Sequence, residues 1–404
     1  MGGTTQKRIK AGTTRNTPTK TSRSEKIIGS RMVSLIRRII SLVFFLFFLS
    51  FTSCHIARYV YWNYADVTDY KKFPSDSIRA SHHPHNFPRY FLQKPLYTPE
   101  KFTNDEASKN LHQFLAAYKT LAFIIIRNDT LIYEKFFNGY DKNSVIPSFS
   151  VSKSFVSALV GIAISEGTIR DIHQPVTDYL PEMKDPGFYQ VTLEDLLTMR
   201  SGIKFNEGYE NPFGEAAKYY YGLNLKRYTR KLKVIHTPGS FYEYVSGNVQ
   251  ILGMVLEKAT GKSLAEYLEE KIWKPMGAVY PATWSIDSKK YREAKAFCCI
   301  NAVPEDFALF GQLYLNKGVA DGHQVVPVNW VEETLTFRND SKDSQGYPYT
   351  FLWRVMNNGS FFAKGILGQF IFVCPQKQIV IVRMGENAGN LDWPEFFKLL
   401  TEQL

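Results

Sequence analysis

Ser148-Phe149-Ser150-Val151-Ser152-Lys153-Ser154-Phe155 runs directly into the apolar segment Val156-Ser157-Ala158-Leu159-Val160-Gly161-Ile162-Ala163-Ile164. The apolar segment has the length and composition of a buried helix that stops near Gly167. Ser150 stands at its start, with its hydroxyl near the positive end of the helix dipole. Lys153, three residues on, shares the same face, with Cβ atoms roughly 5–6 Å apart. An amine there can take or relay the proton of an attacking alcohol, as nucleophilic serine catalysis requires. A solvated polar helix start would produce the same pair, and about one or two such matches arise by chance in a chain this long.

Upstream, Leu121-Ala122-Phe123-Ile124-Ile125-Ile126 and Leu131-Ile132-Tyr133-Glu134-Lys135-Phe136 flank the polar turn Arg127-Asn128-Asp129-Thr130, which predicts a β-hairpin. Downstream come a short helix over 192–199 opened by Thr192 and Asp195, a helix ending at Gly261, and another starting at Ser263 with Glu266. A further helix is expected over about 304–316. Strands are expected at Thr350–Met356, Phe361–Lys364, Gln369–Cys374 and Ile379–Met384, with a closing helix over Asp392–Leu404. Strands at both ends and helices between them imply an α+β fold whose sheet joins distant segments. Residues 205–235 are polar and aromatic without a clean period, and no repeat of 20–50 residues is present.

The net charge of +11 hints at nucleic acid, but residues 1–38 hold ten Lys/Arg and one acid, which leaves +2 for everything else. The large domain is close to neutral, which argues against nucleic-acid binding. Sixteen uncharged residues, Ile39 to Cys54, follow the basic tail. They fall short of the roughly 20 that cross a bilayer, but Arg37 and Arg38 can snorkel and Ala57–Trp62 can extend the apolar path. The basic flank puts the N-terminal end in the cytoplasm and the remainder across the membrane. An uncleaved signal anchor is the favoured reading; the other is a lipoprotein signal, because Phe51-Thr52-Ser53-Cys54 resembles a degenerate bacterial lipobox. The division expected is a basic tail at 1–38, an anchor at 39–57 (or a signal to Cys54), a connector at 58–108 and a catalytic domain at 109–404.

Three other features read as structural. Cys298 and Cys299 are adjacent and poorly placed to pair, so they and Cys374 are expected as free buried thiols. His82-His83-Pro84-His85 lies in a Ser/Pro-rich linker without a nearby carboxylate or cysteine, and no metal or cofactor is expected. Gly261-Lys262-Ser263 lacks the first glycine of a phosphate loop, where Leu256 stands, and is better explained as a helix stop followed by a cap.

Pro238-Gly239-Ser240-Phe241-Tyr242-Glu243-Tyr244-Val245-Ser246-Gly247-Asn248 supplies a second element. With it, the chain resembles the β-lactamase-related serine hydrolases: class C β-lactamases, D,D-peptidases, family VIII esterases and 6-aminohexanoate-dimer hydrolases. Serine and lysine at the spacing of Ser150 and Lys153 are a signature of penicillin-recognising enzymes. Tyr244-Val245-Ser246 is similar to the second motif, Tyr-x-Asn or Tyr-x-Ser. Leu196-Leu197-Thr198-Met199-Arg200-Ser201-Gly202 resembles the Leu-Leu-x-Met-x-Ser-Gly block, and Pro304-Glu305-Asp306-Phe307-Ala308-Leu309-Phe310-Gly311 the Pro-x-Asp-x-Ala-x-Phe-Gly helix. Gly365-Ile366-Leu367-Gly368-Gln369 is similar to the strand that replaces Lys-Thr-Gly in the esterase and amidase branches.

The resemblance covers roughly 110–404. It implies a β-lactamase/transpeptidase-like fold, an antiparallel sheet flanked by helices with a mainly helical subdomain, here preceded by a membrane helix. It implies Ser150 as nucleophile, Lys153 as base or proton relay, and Tyr244 as the group that passes the proton to the leaving group. The backbone N–H groups of Ser150 and Ile366 would form the oxyanion hole, with Ser246, Gly365 and Gly368 in support. Ser246 in place of Asn, and Lys364-Gly365-Ile366 in place of Lys-Thr-Gly, shift the expected substrate from a β-lactam or D-Ala terminus to other small amides or esters. The expected protein is a membrane-tethered serine hydrolase facing the periplasm of a Gram-negative bacterium. A D,D-carboxypeptidase or β-lactamase, or a silent binding domain on the same fold, are the alternatives.

Overall fold

The computed structural model describes residues 1–3, 12, 31–44, 55–103 and 109–404. They divide into two compact units, Met1–Cys54 and His55–Leu404. In the first, residues 31–44 form helix α1, whose side chains are exposed. Among the described residues no helix is long and apolar enough to cross a membrane. Most of the apolar run expected as an anchor, 45–54, lies outside the described residues.

The second unit begins with α2 (His55–Trp62) and strand β1 (Ser75–Ile78). Helix α3 (Leu111–Ala117) precedes the hairpin of β2 (Thr120–Arg127) and β3 (Thr130–Phe136). Strand β4 (Ile146–Pro147) leads through a 3-10 turn, Phe149–Val151, into α4 (Ser152–Ser165). Helices α5 (Leu193–Leu197), α6 (Glu215–Tyr221), α7 (Leu225–Thr229), α8 (Ser246–Thr260) and α9 (Leu264–Leu268) follow. Strands β5 (Ala282–Ser285) and β6 (Ile300–Ala302) come before α10 (Pro304–Leu315), the small hairpin β7 (Val319–Ala320) and β8 (His323–Gln324), and α11 (Val328–Thr334). The chain ends with β9 (Tyr349–Thr350), β10 (Trp353–Val355), β11 (Phe361–Gly365), β12 (Gln369–Cys374), β13 (Ile379–Gly385) and α12 (Trp393–Thr401).

The main sheet has the order β3-β2-β13-β12-β11-β10-β9, antiparallel throughout. Its centre joins the two ends of the unit, with Ile124 opposite Val382. β2, β12 and β13 are buried along almost their whole length, with apolar runs interrupted only by Arg383 on β13, because helices cover both faces, α10 on one side and α3 with α12 on the other. Helix α4 is buried over Ser152–Ala163, as expected for a helix apolar all round. Gly261 closes α8 in the left-handed region (φ 69°), and Ser263 with Glu266 forms a capping box on α9.

The run Thr350–Met356 is not one strand. Phe351 and Leu352 take positive φ (31° and 67°) and split it into β9 and β10. The break docks Leu352 on two helical segments: its N–H donates to the Leu197 carbonyl, and its own carbonyl accepts from Ser154 Oγ.

The segment expected as a connector is part of the second unit. β1 pairs with β5 in a second sheet, β1-β5-β6-β4, and Phe73, Ile78 and Phe87 are core residues. Ala57–Trp62, expected to prolong the membrane path, instead belong to α2, where Tyr59 packs edge-on against Tyr221 and Trp62 against Phe73. Phe73 also lies 3.2 Å beneath the Nζ of Lys295, a fully buried amine that donates to the Tyr220 carbonyl at 2.5 Å. Burial holds that amine well below the usual lysine range.

The cysteine expectation is corrected in one respect. Cys298 and Cys299 are bonded to each other, whereas Cys374 is a free buried thiol. The positive φ of Cys299 (75°) turns the chain so that both sulfurs meet.

A chain beginning at His55 should melt at the same temperature as the full-length protein. One beginning at Lys109 loses β1 with Phe73, Ile78 and Phe87, each worth about 1.5–3 kcal/mol when buried. That loss approaches a whole stability of about 5–15 kcal/mol, so the shorter chain should show no cooperative transition by circular dichroism. Equal melting of the two truncated chains would refute the integration of this segment.

Candidate active site

Ser150 sits in a turn whose backbone is forced. Phe149, buried and not glycine, has φ 44°, a conformation that costs of order 1–3 kcal/mol and persists only where neighbours over-determine it. β6 holds one side: Ser148 N–H donates to the Ile300 carbonyl at 2.8 Å, and Ile300 N–H donates to Ser148 Oγ at 3.1 Å. On the other side Gly365 lies so close that a Cβ there would be 2.6 Å from the Ser148 carbonyl oxygen.

Lys153, the second residue of α4 and one turn beyond Ser150, is 1% exposed. Its Nζ donates to Ser150 Oγ at 2.9 Å and to the Phe297 carbonyl at 2.6 Å. Both acceptors are neutral, so the amine is oriented on the serine without a carboxylate holding it. The same Nζ lies 5.2 Å from the centroid of the Tyr244 ring. The structure therefore brings together Ser150, Lys153 and Tyr244.

The loop carrying Tyr244 hangs on the block 196–202. Glu243 N–H donates to the Met199 carbonyl at 2.9 Å, and Val245 N–H points at the Met199 sulfur at 3.4 Å. Ser201 Oγ donates to Asn248 Oδ1 at 2.7 Å, and Gly239 N–H to the Arg200 carbonyl at 2.8 Å. Gly202 has φ 68°, and a Cβ there would be 2.2 Å from the His236 carbonyl oxygen. The block thus serves as the frame of the tyrosine.

Strand β11 ends at Gly365, and Ile366–Gly368 turn in a short 3-10 segment with Leu367 at φ 64°. Gly368 has φ 86°, and its carbonyl accepts from Arg383 Nη1 at 2.7 Å; any Cβ would strike that guanidinium. A cavity of about 580 Å³ opens between this turn and the tyrosine loop, lined by Ser150, Tyr244, Gly365 and Ile366. A larger cleft of about 900 Å³ lies at Arg79, Glu257 and Lys262, and most of its charges are held in ion pairs such as Arg79–Glu269, Lys226–Glu293 and Lys262–Glu270.

Ser246 does not join the serine–lysine pair. Its N–H and Oγ both donate to Glu207, at 2.9 and 2.5 Å, and Tyr209 OH donates to the same carboxylate at 2.9 Å. Glu207 and Tyr209 line the cavity from the aromatic stretch that shows no period, so nothing in the sequence marked them. Arg354 was also missed: it pairs with Asp343 at 2.5 Å, and its guanidinium lies 5.9 Å from the Tyr244 ring and 4.9 Å from that of Tyr349. Burial pushes the Tyr349 phenol well above its ordinary range.

Comparison with known proteins agrees with this arrangement. The Beta-lactamase family model matches residues 107–391. A 6-aminohexanoate-dimer hydrolase of Paenarthrobacter ureafaciens is 28% identical over 308 residues, covering 71% of this chain and 76% of its own. A Bacillus anthracis structure provisionally assigned as a 6-aminohexanoate-dimer hydrolase superposes with a TM-score of 0.75 at 25% identity, over 85% of this chain and 93% of that one. A family VIII carboxylesterase shares the fold, with a TM-score of 0.57 at 17% identity over 72% and 95% of the two chains.

Gly202→Ala should cost about 1–3 kcal/mol through the forced φ, and lower the melting temperature by several degrees. Because Tyr244 hangs on this turn, kcat/KM should fall as well, by about tenfold or more. An unchanged melting temperature would show that the turn carries no strain.

Proposed function

The chain belongs to the beta-lactamase family as a serine hydrolase of amidase or esterase type, and we propose that it cleaves small amides or esters through an acyl-enzyme on Ser150. The observation that carries this reading is the 2.9 Å bond from the buried Lys153 amine to Ser150 Oγ, beside the Tyr244 ring. In the first half-reaction Ser150 Oγ attacks the carbonyl carbon while Lys153 Nζ accepts its proton. The oxyanion that forms is held by the N–H groups of Ser150 and Ile366, donors fixed before the substrate arrives. Tyr244 OH gives its proton to the leaving amine or alcohol and is reprotonated through Lys153. Water then attacks the Ser150 ester with Tyr244 or Lys153 as base, and Ser150 Oγ leaves with a proton.

The P. ureafaciens relative is named for a dimer of 6-aminohexanoate, a linear amide. An amide of that size suits a cavity of about 580 Å³. That support favours a small amide over a cell-wall peptide or a β-lactam.

We also propose that the catalytic unit is tethered to a membrane and lies outside the cytoplasm, in the periplasm if the cell is Gram-negative. The support is the charge asymmetry, with ten basic residues ahead of the uncharged run 39–54. Full-length protein should stay with membranes through alkaline carbonate extraction, and protease added outside the inner membrane should digest the catalytic unit. Release by carbonate would reject the tether.

A fluorophosphonate probe should label the wild type and fail on Ser150→Ala, with the modified peptide containing Ser150. Lys153→Met and Tyr244→Phe should each lower kcat by about 10²–10⁴-fold while the melting temperature changes little for Tyr244→Phe. Equal labelling of wild type and Ser150→Ala would remove Ser150 from the mechanism. Labelled penicillin should form no lasting adduct; a stable one on Ser150 would favour the carboxypeptidase or β-lactamase alternative.

A further inference from the structure

Helix α2 has its polarity reversed. Its one Lys, Arg, Asp or Glu is Arg58, and that guanidinium lies inward, 4.4 Å from the centroid of the Trp62 ring and 5.8 Å from that of the core residue Phe73. Ile56, Ala57, Val60 and Tyr61 fall on the opposite stripe, at i, i+1, i+4 and i+5. Val60 is 73% exposed and Tyr61 84%. A helix bathed by water shows the opposite pattern, apolar towards the core and charged outside.

More apolar surface adjoins this stripe. The Tyr64 ring packs edge-on against Tyr59 and is itself exposed. Tyr59 OH donates to the Tyr209 carbonyl at 3.1 Å, and the Pro212 carbonyl lies against the His55 ring. These contacts fasten α2 to the loop 207–214, where Phe213 is 67% exposed. The same loop supplies Glu207 and Tyr209 to the wall of the catalytic cavity. On the other flank, Ala65 and Val67 line a cleft of about 310 Å³ with Leu367 and Asn387, chain neighbours of the cavity residues Ile366 and Ala388. The exposed apolar face is therefore part of the cavity rim.

Its place in the chain indicates what covers it. The uncharged run 39–54 ends at Cys54, directly before the first residue of α2. Val60 and Tyr61 follow His55 by at most about 8–9 Å of helix rise, close to the depth of a headgroup layer, about 5–8 Å. Tyrosine and tryptophan are enriched at that depth, where an apolar ring and a polar tip are both satisfied. A second copy of the chain is a poorer occupant. The face offers Ile56, Ala57, Val60, Tyr61, Tyr64 and Phe213, whereas a stable interface takes about 20–30 residues a side.

We propose that this face lies in the headgroup–acyl boundary of the bilayer and seats the mouth of the cavity on the membrane surface, where the enzyme takes amphiphilic esters or amides. The proposal rests on the tether and the acyl-enzyme reading and adds an orientation that a tether alone leaves open.

The test uses full-length protein in vesicles of phosphatidylethanolamine and phosphatidylglycerol with alkyne-tagged acyl chains. A photoreactive p-benzoylphenylalanine in place of Phe213, far in sequence from the anchor, should form lipid adducts on irradiation. The same group in place of Gln376, in the turn at the far end of β12 and about 20 Å from the cavity, should form at most about a tenth as many. Val60→Ser combined with Tyr61→Ser should reduce the adducts at 213. It should also lower kcat/KM about fivefold or more for para-nitrophenyl decanoate carried in the vesicles. Para-nitrophenyl butyrate, dissolved in water, should be hydrolysed as by the wild type. No lipid adduct at 213 in protein that resists carbonate extraction overturns the face and leaves the tether. Adducts at 213 that join two chains assign the face to a second copy and overturn it equally. An equal loss on both esters overturns the seating of the cavity mouth. Lipid adducts at 213 in protein that carbonate releases would reject the tether and keep the face. A wild type that hydrolyses neither ester counts against the acyl-enzyme reading, while the adducts still decide the face.

Discussion

The site depends on one forced turn. Phe149 adopts φ 44° because two distant segments converge on its neighbour Ser148: Ile300 on β6 exchanges two hydrogen bonds with it, and Gly365 at the end of β11 closes on its carbonyl. Those contacts require the two sheets to be in place at once. They also place Ile366, which follows the glycine that makes the close approach, on the wall of the same cavity as Ser150. The strain, about 1–3 kcal/mol, is small against the burial of α4 and the central strands that fix both elements.

The sequence was legible where a local signal determines structure. Two apolar runs around a polar turn gave β2 and β3, and Thr192 with Asp195 gave the cap on α5. Serine and lysine on one helical face need only the helix to become neighbours, so that pair could be read directly. Tyr244 could not be read this way. Its position depends on Met199 and Ser201, about 45 residues upstream, and only the resemblance of the whole motif set pointed to it.

What escaped was held by long-range contacts. Glu207 and Tyr209 lie in a loop between helices, and Arg354 lies in the three-residue strand β10, so neither stretch has a period to detect. The stretch expected as a connector, 58–108, carried little local signal because β1 is only four residues long and α2 packs through single aromatic rings. The break at Phe351 and Leu352 arises from docking on Leu197 and Ser154, contacts that an apolar run cannot announce.

That N-terminal segment has a consequence for the Lys153 amine. Phe73 supplies the ring on which the buried Lys295 amine rests, and Lys295 stands two residues before Phe297, whose carbonyl holds Lys153. The intervening loop is pinned further by Trp284 Nε1, which donates to the carbonyls of Lys295 and Cys298 at 3.0 Å each, and by the Cys298–Cys299 bond. A carbonyl fixed in this way accepts one of the Lys153 hydrogens and leaves the bond to Ser150 as the remaining strong contact of Nζ. The chain ahead of the hairpin β2–β3 thus reaches the serine–lysine pair through a short physical path: an aromatic ring, a buried amine, a rigid loop and one carbonyl oxygen. Loss of any link would free the Lys153 amine to swing from the serine while leaving Ser150 in its turn, since the turn is held by Ile300 and Gly365 from the other side.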